Sequence, residues 1–391
     1  MKLSKNLGRI ATTFLATAML ASVAAVPAFA ESAVPSVPIG KTVTTDGNTF
    51  APKADYTFKV ENGEAGTYTY KEDKDAEEAS EKEVMKGIGG LTVSPKTSSA
   101  PSGDTPSASY TLQDAVINID ADAFKSAKPG IYHYVVSEEE GSVQGMTYDT
   151  SRYDLYVYVL NGSTGINDHY VAYVVAVEQV VDTNEESDTY GQLIPGTDKA
   201  TKMTFENDYD TNNTQLHDVT ITKSVQGTMG DKVNDTFNFN VTVTGDDGEV
   251  FYIEYKTSQN DQVQKVAVNS GASTEIKGLK DTGTITIYSL DADDTYQVVE
   301  NTNGSGKGYD VYVDSTYTAN ESYDENTDGK TEKKNDTGEV PMGNTDQNIA
   351  FYNVKNGNVA TGVMMDIAPY ALLVVAAAAG CFVFLRKRRE D

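Results

Sequence analysis

The chain has 391 residues, a net charge of −27 at neutral pH and a single cysteine, Cys381. A surface this acidic repels the phosphates of nucleic acids and of anionic lipids, which argues against nucleic acid as a partner. One cysteine leaves no intrachain disulfide and no cysteine-ligated zinc site, and its place in the C-terminal apolar segment leaves no exported thiol nucleophile. The composition therefore excludes several common classes of secreted protein before any motif is considered.

The first 30 residues have the three parts of a secretory signal peptide. Three basic residues precede an apolar stretch at 10–26, and Ala28-Phe29-Ala30 supplies the small-residue pattern of a cleavage site. The sequence therefore predicts that residues 1–30 direct export and are then removed.

The central part of the chain has the composition of an all-β protein. Tyrosine occurs 24 times and tryptophan is absent, and Val and Thr recur in alternating runs. These runs predict strands at 132–138, 153–160, 170–177, 237–243 and 284–288. Because turn signals separate them and no convincing amphipathic helix occurs, we expect β-sandwiches.

Polar stretches interrupt this pattern and divide the chain. We expect 71–109 and 318–347 to be long surface loops or flexible insertions, because both are rich in charged and small polar residues. A shorter polar joint at 208–217 separates two predicted β-sandwich modules, 35–207 and 218–355.

The two modules repeat the same three polar residues in the same order. Each has a lysine on its first strand, a glutamate on a late strand and an asparagine on its last strand, namely Lys41, Glu138 and Asn207, then Lys223, Glu300 and Asn353. Side chains two apart share one face of a strand, and by this rule all six lie among apolar residues. A buried lysine needs a partner, so we expect each set to meet inside its module. The alternative is that they are strand-end residues whose tips reach solvent.

A buried lysine, glutamate and asparagine can react with one another. Burial lowers the pKa of the lysine and raises that of the glutamate, which favours a nucleophilic amine and a protonated acid. The acid can polarise the asparagine carbonyl and shuttle protons while the amine attacks it. The products would be a Lys–Asn amide and ammonia, formed once by the protein on itself rather than by an enzyme that turns over.

The C-terminus has the features of a membrane anchor that follows a cleavage motif. Residues 367–385 carry no charge and would extend about 28 Å as a helix, enough to cross a bilayer core. The basic tail at 386–391 predicts a cytoplasmic end. The preceding motif consists of Asn358, Val359, Ala360, Thr361 and Gly362. It resembles a sortase sorting signal, which is cut after its threonine, although only Thr361-Gly362 matches the commonest form of that signal. A plain tail anchor is the alternative.

Two tandem Lys–Glu–Asn sets before a Thr-Gly motif resemble the streptococcal-type major pilins with isopeptide-linkage domains, which are sortase-anchored surface proteins of Gram-positive bacteria. The resemblance implies immunoglobulin-like sandwiches with Lys41–Asn207 and Lys223–Asn353 bonds, assisted by Glu138 and Glu300. It also implies that Thr361 is joined to a lysine of the next subunit. Lys199 is the candidate for this linkage, with Lys202 as the alternative.

The same resemblance implies the partners of the protein. They are sortase, further copies of the chain, the peptidoglycan of the cell wall, accessory minor pilins and host surface ligands, with no cofactor. A wall-anchored adhesin with crosslinked domains that never polymerises is the alternative function.

Two other classes have weaker support in the sequence. Asp324–Gly329 fits the first half of a calcium-binding loop, but Asn335 stands where the final glutamate is needed, so no metal site is predicted. His133, His169 and His217 form no recognisable Ser-His-Asp or metal-binding pattern, which argues against a conventional secreted enzyme.

Overall fold

The computed structural model describes residues 35–94, 96–162, 169–210, 215–303, 307–314 and 333–357. The predicted signal peptide, sorting motif, transmembrane helix and basic tail lie outside the described residues, as does the calcium-like stretch. Within the described ranges, no helix is both long enough and apolar enough to span a bilayer.

The chain forms two compact units. Unit 1 consists of the described part up to Thr44 together with Lys53–Ser99 and Ser109–Tyr209. Unit 2 consists of Thr45–Pro52, Ala100–Ala108 and the described part from Asp210 onward. Both units are built almost entirely from strands, which confirms the predicted all-β fold class.

The described residues of unit 1 form sixteen strands and one short helix. They are β1 (Val37–Thr44), β2 (Ala54–Tyr56), β3 (Phe58–Asn62), β4 (Gly66–Tyr70), β5 (Ser80–Lys86), β6 (Leu91–Ser94), β7 (Thr97–Ser99), β8 (Ser109–Thr111), β9 (Ala115–Ile119), α1 (Ala121–Lys125), β10 (Gly130–Glu138), β11 (Met146–Thr147), β12 (Arg152–Asn161), β13 (His169–Glu178), β14 (Val180–Val181), β15 (Leu193–Ile194) and β16 (Met203–Tyr209).

Two main sheets of unit 1 enclose its core. One has the order β11-β16-β1-β9-β6, with β8 also pairing with β1, and the other has the order β13-β12-β10-β5-β4, with β3 also pairing with β10. Two short pairs, β14-β15 and β2-β7, complete the unit. Buried side chains from both main sheets, such as Ile39 and Phe205 from one and Tyr134 and Leu155 from the other, form a single apolar cluster. The sheets therefore pack as a sandwich.

The described residues of unit 2 form a sandwich of ten strands. They are β17 (His217–Gln226), β18 (Phe237–Thr244), β19 (Val250–Lys256), β20 (Gln264–Asn269), β21 (Ser273–Leu279), β22 (Thr284–Leu290), β23 (Thr295–Asn301), β24 (Asp310–Asp314), β25 (Val340–Pro341) and β26 (Gln347–Val354). The sheets have the orders β20-β19-β22-β17-β26-β24 and β21-β18-β23-β25. Residues from both, including Ile221, Ile349, Phe239 and Val298, share one core.

In each unit the first strand lies beside the last and runs parallel to it. In unit 1, β1 pairs with β16 so that Lys41 faces Phe205 and Val43 faces Asn207. In unit 2, β17 pairs with β26 in the same way, with Lys223 opposite Phe351 and Val225 opposite Asn353. The lysine and asparagine of each unit are therefore diagonal neighbours on one face of adjacent strands.

The prediction that 71–109 is a loop or flexible insertion is wrong. This segment contains β5, β6, β7 and the start of β8, and β5 pairs with both β4 and β10. Only Val84 of β5 is fully buried, so its charged sequence lacks the apolar alternation that identifies a strand. The second predicted loop, 318–347, includes β25, which is only two residues long; most of this segment lies outside the described residues.

Candidate functional site

The first triad, Lys41, Glu138 and Asn207, lies between the two sheets of unit 1. Lys41 and Asn207 come from neighbouring strands of one sheet, and Glu138 ends β10 in the facing sheet. The exposed fractions of these residues are 1%, 8% and 0%. Strand parity directs all three into the core, so the sandwich brings together groups that are 69 residues or more apart in sequence.

Glu138 joins the other two members of the first triad. Lys41 Nζ donates a hydrogen bond of 2.7 Å to Glu138 Oε2, and Asn207 Nδ2 donates one of 2.8 Å to Glu138 Oε1. The carboxyl group therefore touches both the lysine amine and the asparagine amide nitrogen. The Lys41 amine also lies 5.1 Å from the centroid of the Tyr56 ring, which closes one side of the site.

The site shifts both ionisable groups toward their neutral forms. Burial lowers the pKa of Lys41, and the hydrogen bond and charge of Glu138 only partly oppose this. Burial likewise raises the pKa of Glu138 against the opposing effect of Lys41. The state with a neutral amine beside a protonated acid therefore costs less free energy here than it would in water.

The asparagine carbonyl of the first triad has a different partner from the one expected. The sequence interpretation assigned its polarisation to the glutamate, whereas Asn207 Oδ1 accepts a hydrogen bond of 2.8 Å from the backbone N–H of Asp149. Because a backbone N–H can only donate, this contact fixes the orientation of the amide, with its nitrogen toward Glu138. Nothing in the sequence identified Asp149, since it belongs to no repeated pattern.

The second triad, Lys223, Glu300 and Asn353, repeats this arrangement in unit 2. Lys223 and Asn353 lie on the parallel strands β17 and β26, and Glu300 lies on β23 of the facing sheet. Their exposed fractions are 1%, 0% and 0%. Asn353 Nδ2 donates a short hydrogen bond to Glu300 Oε1, and Lys223 Nζ lies 3.7 Å from Glu300 Oε2.

The second triad is more completely buried than the first and has fewer hydrogen bonds. Within the described residues, Glu300 Oε2 and Asn353 Oδ1 are buried without a hydrogen-bond partner. The Lys223 amine donates to the carbonyl of Ser224 at 3.2 Å and lies 4.1 Å from the Phe237 ring centroid. Burial lowers the pKa of Lys223 and raises that of Glu300, as in the first triad.

Each triad contains the groups that one amide exchange requires. The lysine can supply a nucleophile, and the asparagine has a carbonyl carbon and a leaving nitrogen. The glutamate is hydrogen-bonded to both nitrogens in the first triad, and in the second it is hydrogen-bonded to the asparagine nitrogen and lies 3.7 Å from the lysine nitrogen. A group in that position can take a proton from the attacking amine and give one to the departing ammonia. The packed sheets hold the reacting groups together, which supplies the effective concentration that amide exchange needs.

The two candidate linkage lysines lie just before β16. The backbone of Lys199 forms an isolated antiparallel β-bridge with Val177 of β13, and the residue is half-buried rather than fully exposed. Lys202 Nζ forms an ion pair of 2.7 Å with Asp114 Oδ1, and its side chain covers Gly40. No carboxylate among the described residues lies within 4 Å of the Lys199 amine, so Lys199 is the freer of the two.

Two of the histidines, His133 and His217, contact neighbouring polar groups in the described part of the chain. His133 is buried, with Nε2 2.9 Å from Asp154 Oδ1 and Nδ1 3.0 Å from the carbonyl oxygen of Glu64. His217 Nδ1 lies 3.5 Å from Asp346 Oδ1. No group of three metal-ligating side chains occurs among the described residues.

Two family models match separate parts of the chain, and a known protein matches nearly all of it. Residues 37–210 match the Spy0128-like isopeptide containing domain, and residues 217–355 match a domain of unknown function, DUF7601. A protein of Streptococcus pyogenes serotype M1 named Pilin is 27% identical over 388 residues, which cover 96% of this chain and 97% of the relative.

Solved structures share the fold. The crystal structure of the major pilin from Streptococcus pyogenes aligns with a TM-score of 0.50 and 23% identity, over 83% of this chain and 100% of that one. A mutant of the same pilin aligns with a TM-score of 0.50 and 22% identity over the same shares. Residues 37–210 therefore match the Spy0128-like isopeptide containing domain, within a chain that is similar to a pilin over nearly its whole length.

Proposed function

We propose that this pilin is the shaft subunit of a covalent pilus, stabilised by two self-formed isopeptide bonds. The first bond joins Lys41 to Asn207 with the help of Glu138, and the second joins Lys223 to Asn353 with the help of Glu300. Sortase cleaves after Thr361 and joins the new carboxyl group to Lys199 of the next subunit. The last subunit is attached in the same way to the peptidoglycan of the cell wall.

The observation that carries the proposal is the repeated geometry of the triads. Two buried lysines, each touching a glutamate that also binds an asparagine amide, occur at the same register of first and last strands. A stability role alone does not explain this arrangement, because burying a lysine and a glutamate costs several kcal/mol unless every polar atom is satisfied. A reaction that converts the lysine to a neutral amide removes that cost.

The bond location also suits a protein that carries tension. A bond between the first and last strands closes a loop of about 170 residues in unit 1 and restricts the unfolded chain by about 5 kcal/mol if the disulfide relation applies. Force that enters at one end of a unit would pass through the covalent bridge without separating the strands. Head-to-tail joining of such units is an open, heterologous association and therefore builds a filament.

An intact-mass measurement tests the bonds. Segment 31–361 should have a mass two ammonia molecules below the value calculated from its sequence, because each bond releases one. A control chain with both Lys41→Met and Lys223→Met should have its calculated mass. An unmodified mass for the parent chain would refute both bonds.

Lys199 is proposed as the polymerisation site because its amine forms no ion pair within 4 Å among the described residues and its backbone is fixed. The backbone of the adjacent residues is held by hydrogen bonds from Lys71 N to Thr197 O and from Ala200 N to Ala176 O, both of 2.8 Å. Lys202, by contrast, would have to leave Asp114 before it could react. Thr361 lies outside the described residues, so this step depends on the sequence motif and on Lys199.

We expect Lys199→Ala to abolish the ladder of detergent-resistant polymers in wall extracts, while the monomer keeps both internal bonds and its anchor. Lys202→Ala is the matched control and should leave the ladder intact. Loss of the ladder only in the Lys202 variant would identify Lys202, three residues further along the chain, as the linkage lysine. A ladder that persists in both variants contradicts the proposed joint, and a single anchored band in the parent strain would favour the non-polymerising adhesin.

A further inference from the structure

The carbonyl oxygen of Asn207 is the atom on which negative charge would develop during formation of the first bond. Attack by the Lys41 amine on Asn207 Cγ converts this oxygen to an oxyanion. The backbone N–H of Asp149 already donates to it at 2.8 Å. This donor is part of the main chain, so it needs no rotamer change when charge appears.

The side chain of Asp149 fixes that N–H in place. Its Oδ2 accepts a hydrogen bond of 2.6 Å from the backbone N–H of Glu206, the residue immediately before Asn207. Its Oδ1 accepts one of 2.7 Å from Ser151 N, which closes the local turn. The preceding strand, β11, pairs with β16 through Met146 and Thr147. Asp149 is therefore tied to the strand that carries the reacting asparagine.

We propose that Asp149 completes the first reaction site, with its backbone N–H stabilising the oxyanion on Asn207 and its carboxylate positioning that N–H. The inference rests on the proposed Lys41–Asn207 bond and adds to it a group outside the repeated Lys–Glu–Asn pattern. It gives the two units different chemistry, since Asn353 Oδ1 has no hydrogen-bond partner among the described residues.

The reaction balances with the groups present. Glu138 first takes the proton that makes the Lys41 amine neutral, and the amine then attacks Asn207 Cγ. The Nζ–Cγ bond forms, and the electron pair of the carbonyl moves to Oδ1, which accepts the hydrogen bond from the Asp149 N–H. This pair later re-forms the carbonyl as the leaving group departs. Glu138 gives its proton to Nδ2 and takes one from Nζ, the Cγ–Nδ2 bond breaks, and ammonia leaves. No oxidant or external reactant is required.

The two polar atoms of the reacting Asn207 amide have different hydrogen-bond partners. Nδ2 faces Glu138, which protonates the leaving group, and Oδ1 faces Asp149, which stabilises charge. With both ends of the amide bound, the planar group is held in one orientation before attack. Such preorganisation is the main source of the catalytic effect of an oxyanion hole.

The experiment measures the rate at which each bond forms in segment 31–361 after cell-free synthesis. Samples are quenched in denaturant, digested, and analysed for the two crosslinked peptides by mass spectrometry. Asp149→Pro removes the N–H and should slow the first bond about 100-fold, while Asp149→Ala keeps the N–H but removes its anchor and should slow it about 10-fold. The second bond, in the same chain, should form at the parent rate.

Two controls separate chemistry from folding. Asp120→Ala removes a comparable carboxylate from the same unit, the cap that accepts Asp122 N at 3.0 Å at the start of α1, and should not slow either bond. Each Asp149 substitution is also made in a Lys41→Met chain, which cannot form the first bond, and the unfolding of this chain is followed by circular dichroism. If Asp149→Pro does not fold, the rate of the first bond in Asp149→Ala tests the proposal.

Slow bond formation in a variant that folds supports the proposal. Parent-like rates in folded Asp149 variants would overturn it while leaving the isopeptide bond itself intact. A parent chain that never forms the first bond would instead refute the proposed function, so the two failures are distinguishable.

Discussion

The two triads contain the same residues in the same strand register, yet their polar atoms are satisfied to different degrees. In unit 1 the Lys41–Glu138 contact is 2.7 Å and both ends of the Asn207 amide are bound. In unit 2 the Lys223–Glu300 separation is 3.7 Å, and two buried oxygens have no hydrogen-bond partner among the described residues. The units therefore share burial, register and a glutamate bound to the asparagine nitrogen, while a donor to the asparagine carbonyl oxygen is described only in unit 1.

This difference separates two requirements of the proposed reaction. Burial shifts lysine and glutamate toward their neutral forms in both units, so both can attain the reactive protonation state. Stabilisation of the oxyanion needs a donor aimed at the carbonyl oxygen, and the described contacts supply one only to Asn207. We infer that the shared contacts determine whether a bond forms and the additional donor determines how fast.

The largest expected effect comes from removing one glutamate at a time. Glu300→Ala should abolish the second bond and leave the first intact, so the mass should lie one ammonia, rather than two, below the value calculated for that variant. Glu138→Ala should abolish the first bond and leave the second intact, with the same mass deficit of one ammonia. Each loss should lower the free energy of unfolding of its unit by about 5 kcal/mol, the amount expected for a covalent loop of this size. Intact mass and denaturant unfolding measure the two effects.

Glu139→Ala is the matched control for Glu138. Glu139 follows Glu138 directly but is exposed, where it accepts a hydrogen bond from Thr57 Oγ1. Its substitution should leave both bonds and the mass unchanged. Retention of a bond in the chain that lacks its glutamate would contradict the proton-shuttle role.

The sequence predicted the triads because their signal is local. The alternation of polar and apolar residues in β1 and β16 places Lys41 and Asn207 on the core face, and the same three residue types recur in the second half of the chain. The direction of Glu138 toward the amide nitrogen, rather than the carbonyl oxygen, depends on how two sheets pack. Strand parity contains no information about that packing.

Asp149 and β5 were missed for a related physical reason. Asp149 acts through its backbone, and backbone geometry leaves no residue-type signature in a loop. β5 is a strand because β4 and β10 supply its hydrogen bonds, although its own side chains are mostly charged and exposed. Tertiary context determines both features.

A second prediction concerns the relative rates of the two bonds in the unmodified chain. Because only Asn207 has a described oxyanion donor, the first bond should form faster than the second by up to about 100-fold. Pulse-labelled cell-free synthesis, followed by quantification of the two crosslinked peptides after translation stops, measures the ratio. Equal rates, or a faster second bond, would mean that the stronger desolvation of Lys223 outweighs the missing donor.

The smallest expected effect is a pH dependence of the stability of unit 2 that arises from two buried carboxylates outside its triad. Asp294 is 2% exposed, and its carboxylate and that of Glu249 converge on Gly245 so closely that a Cβ there would collide with both. Burial, with the nearby Glu249 charge, raises the pKa of Asp294 from 3.8 to about 8. Burial also raises the pKa of Glu249 to about 7, with Asp291 and Asp246 adding to the effect.

The sign of the pH dependence follows from these shifts. The folded unit binds more protons than the unfolded chain, so the stability from Asp294 is fully present below its ordinary pKa of 3.8 and is lost as the pH rises through about 8. Unit 2 should therefore become more stable as the pH falls from about 8 to about 6, whereas a salt-bridged carboxylate would give the opposite trend. Asp294→Asn should raise the free energy of unfolding at pH 8 by about 1–2 kcal/mol and flatten this dependence.

Thermal unfolding in a Glu300→Ala background, where the second bond cannot mask the transition of unit 2, measures the effect. Asp293→Asn is the matched control, because it removes the same charge from an exposed neighbour and should change the melting temperature little. The transition of unit 1 should not move in either variant. If Asp294→Asn destabilises unit 2 at pH 8, then the buried carboxylate is ionised and well satisfied.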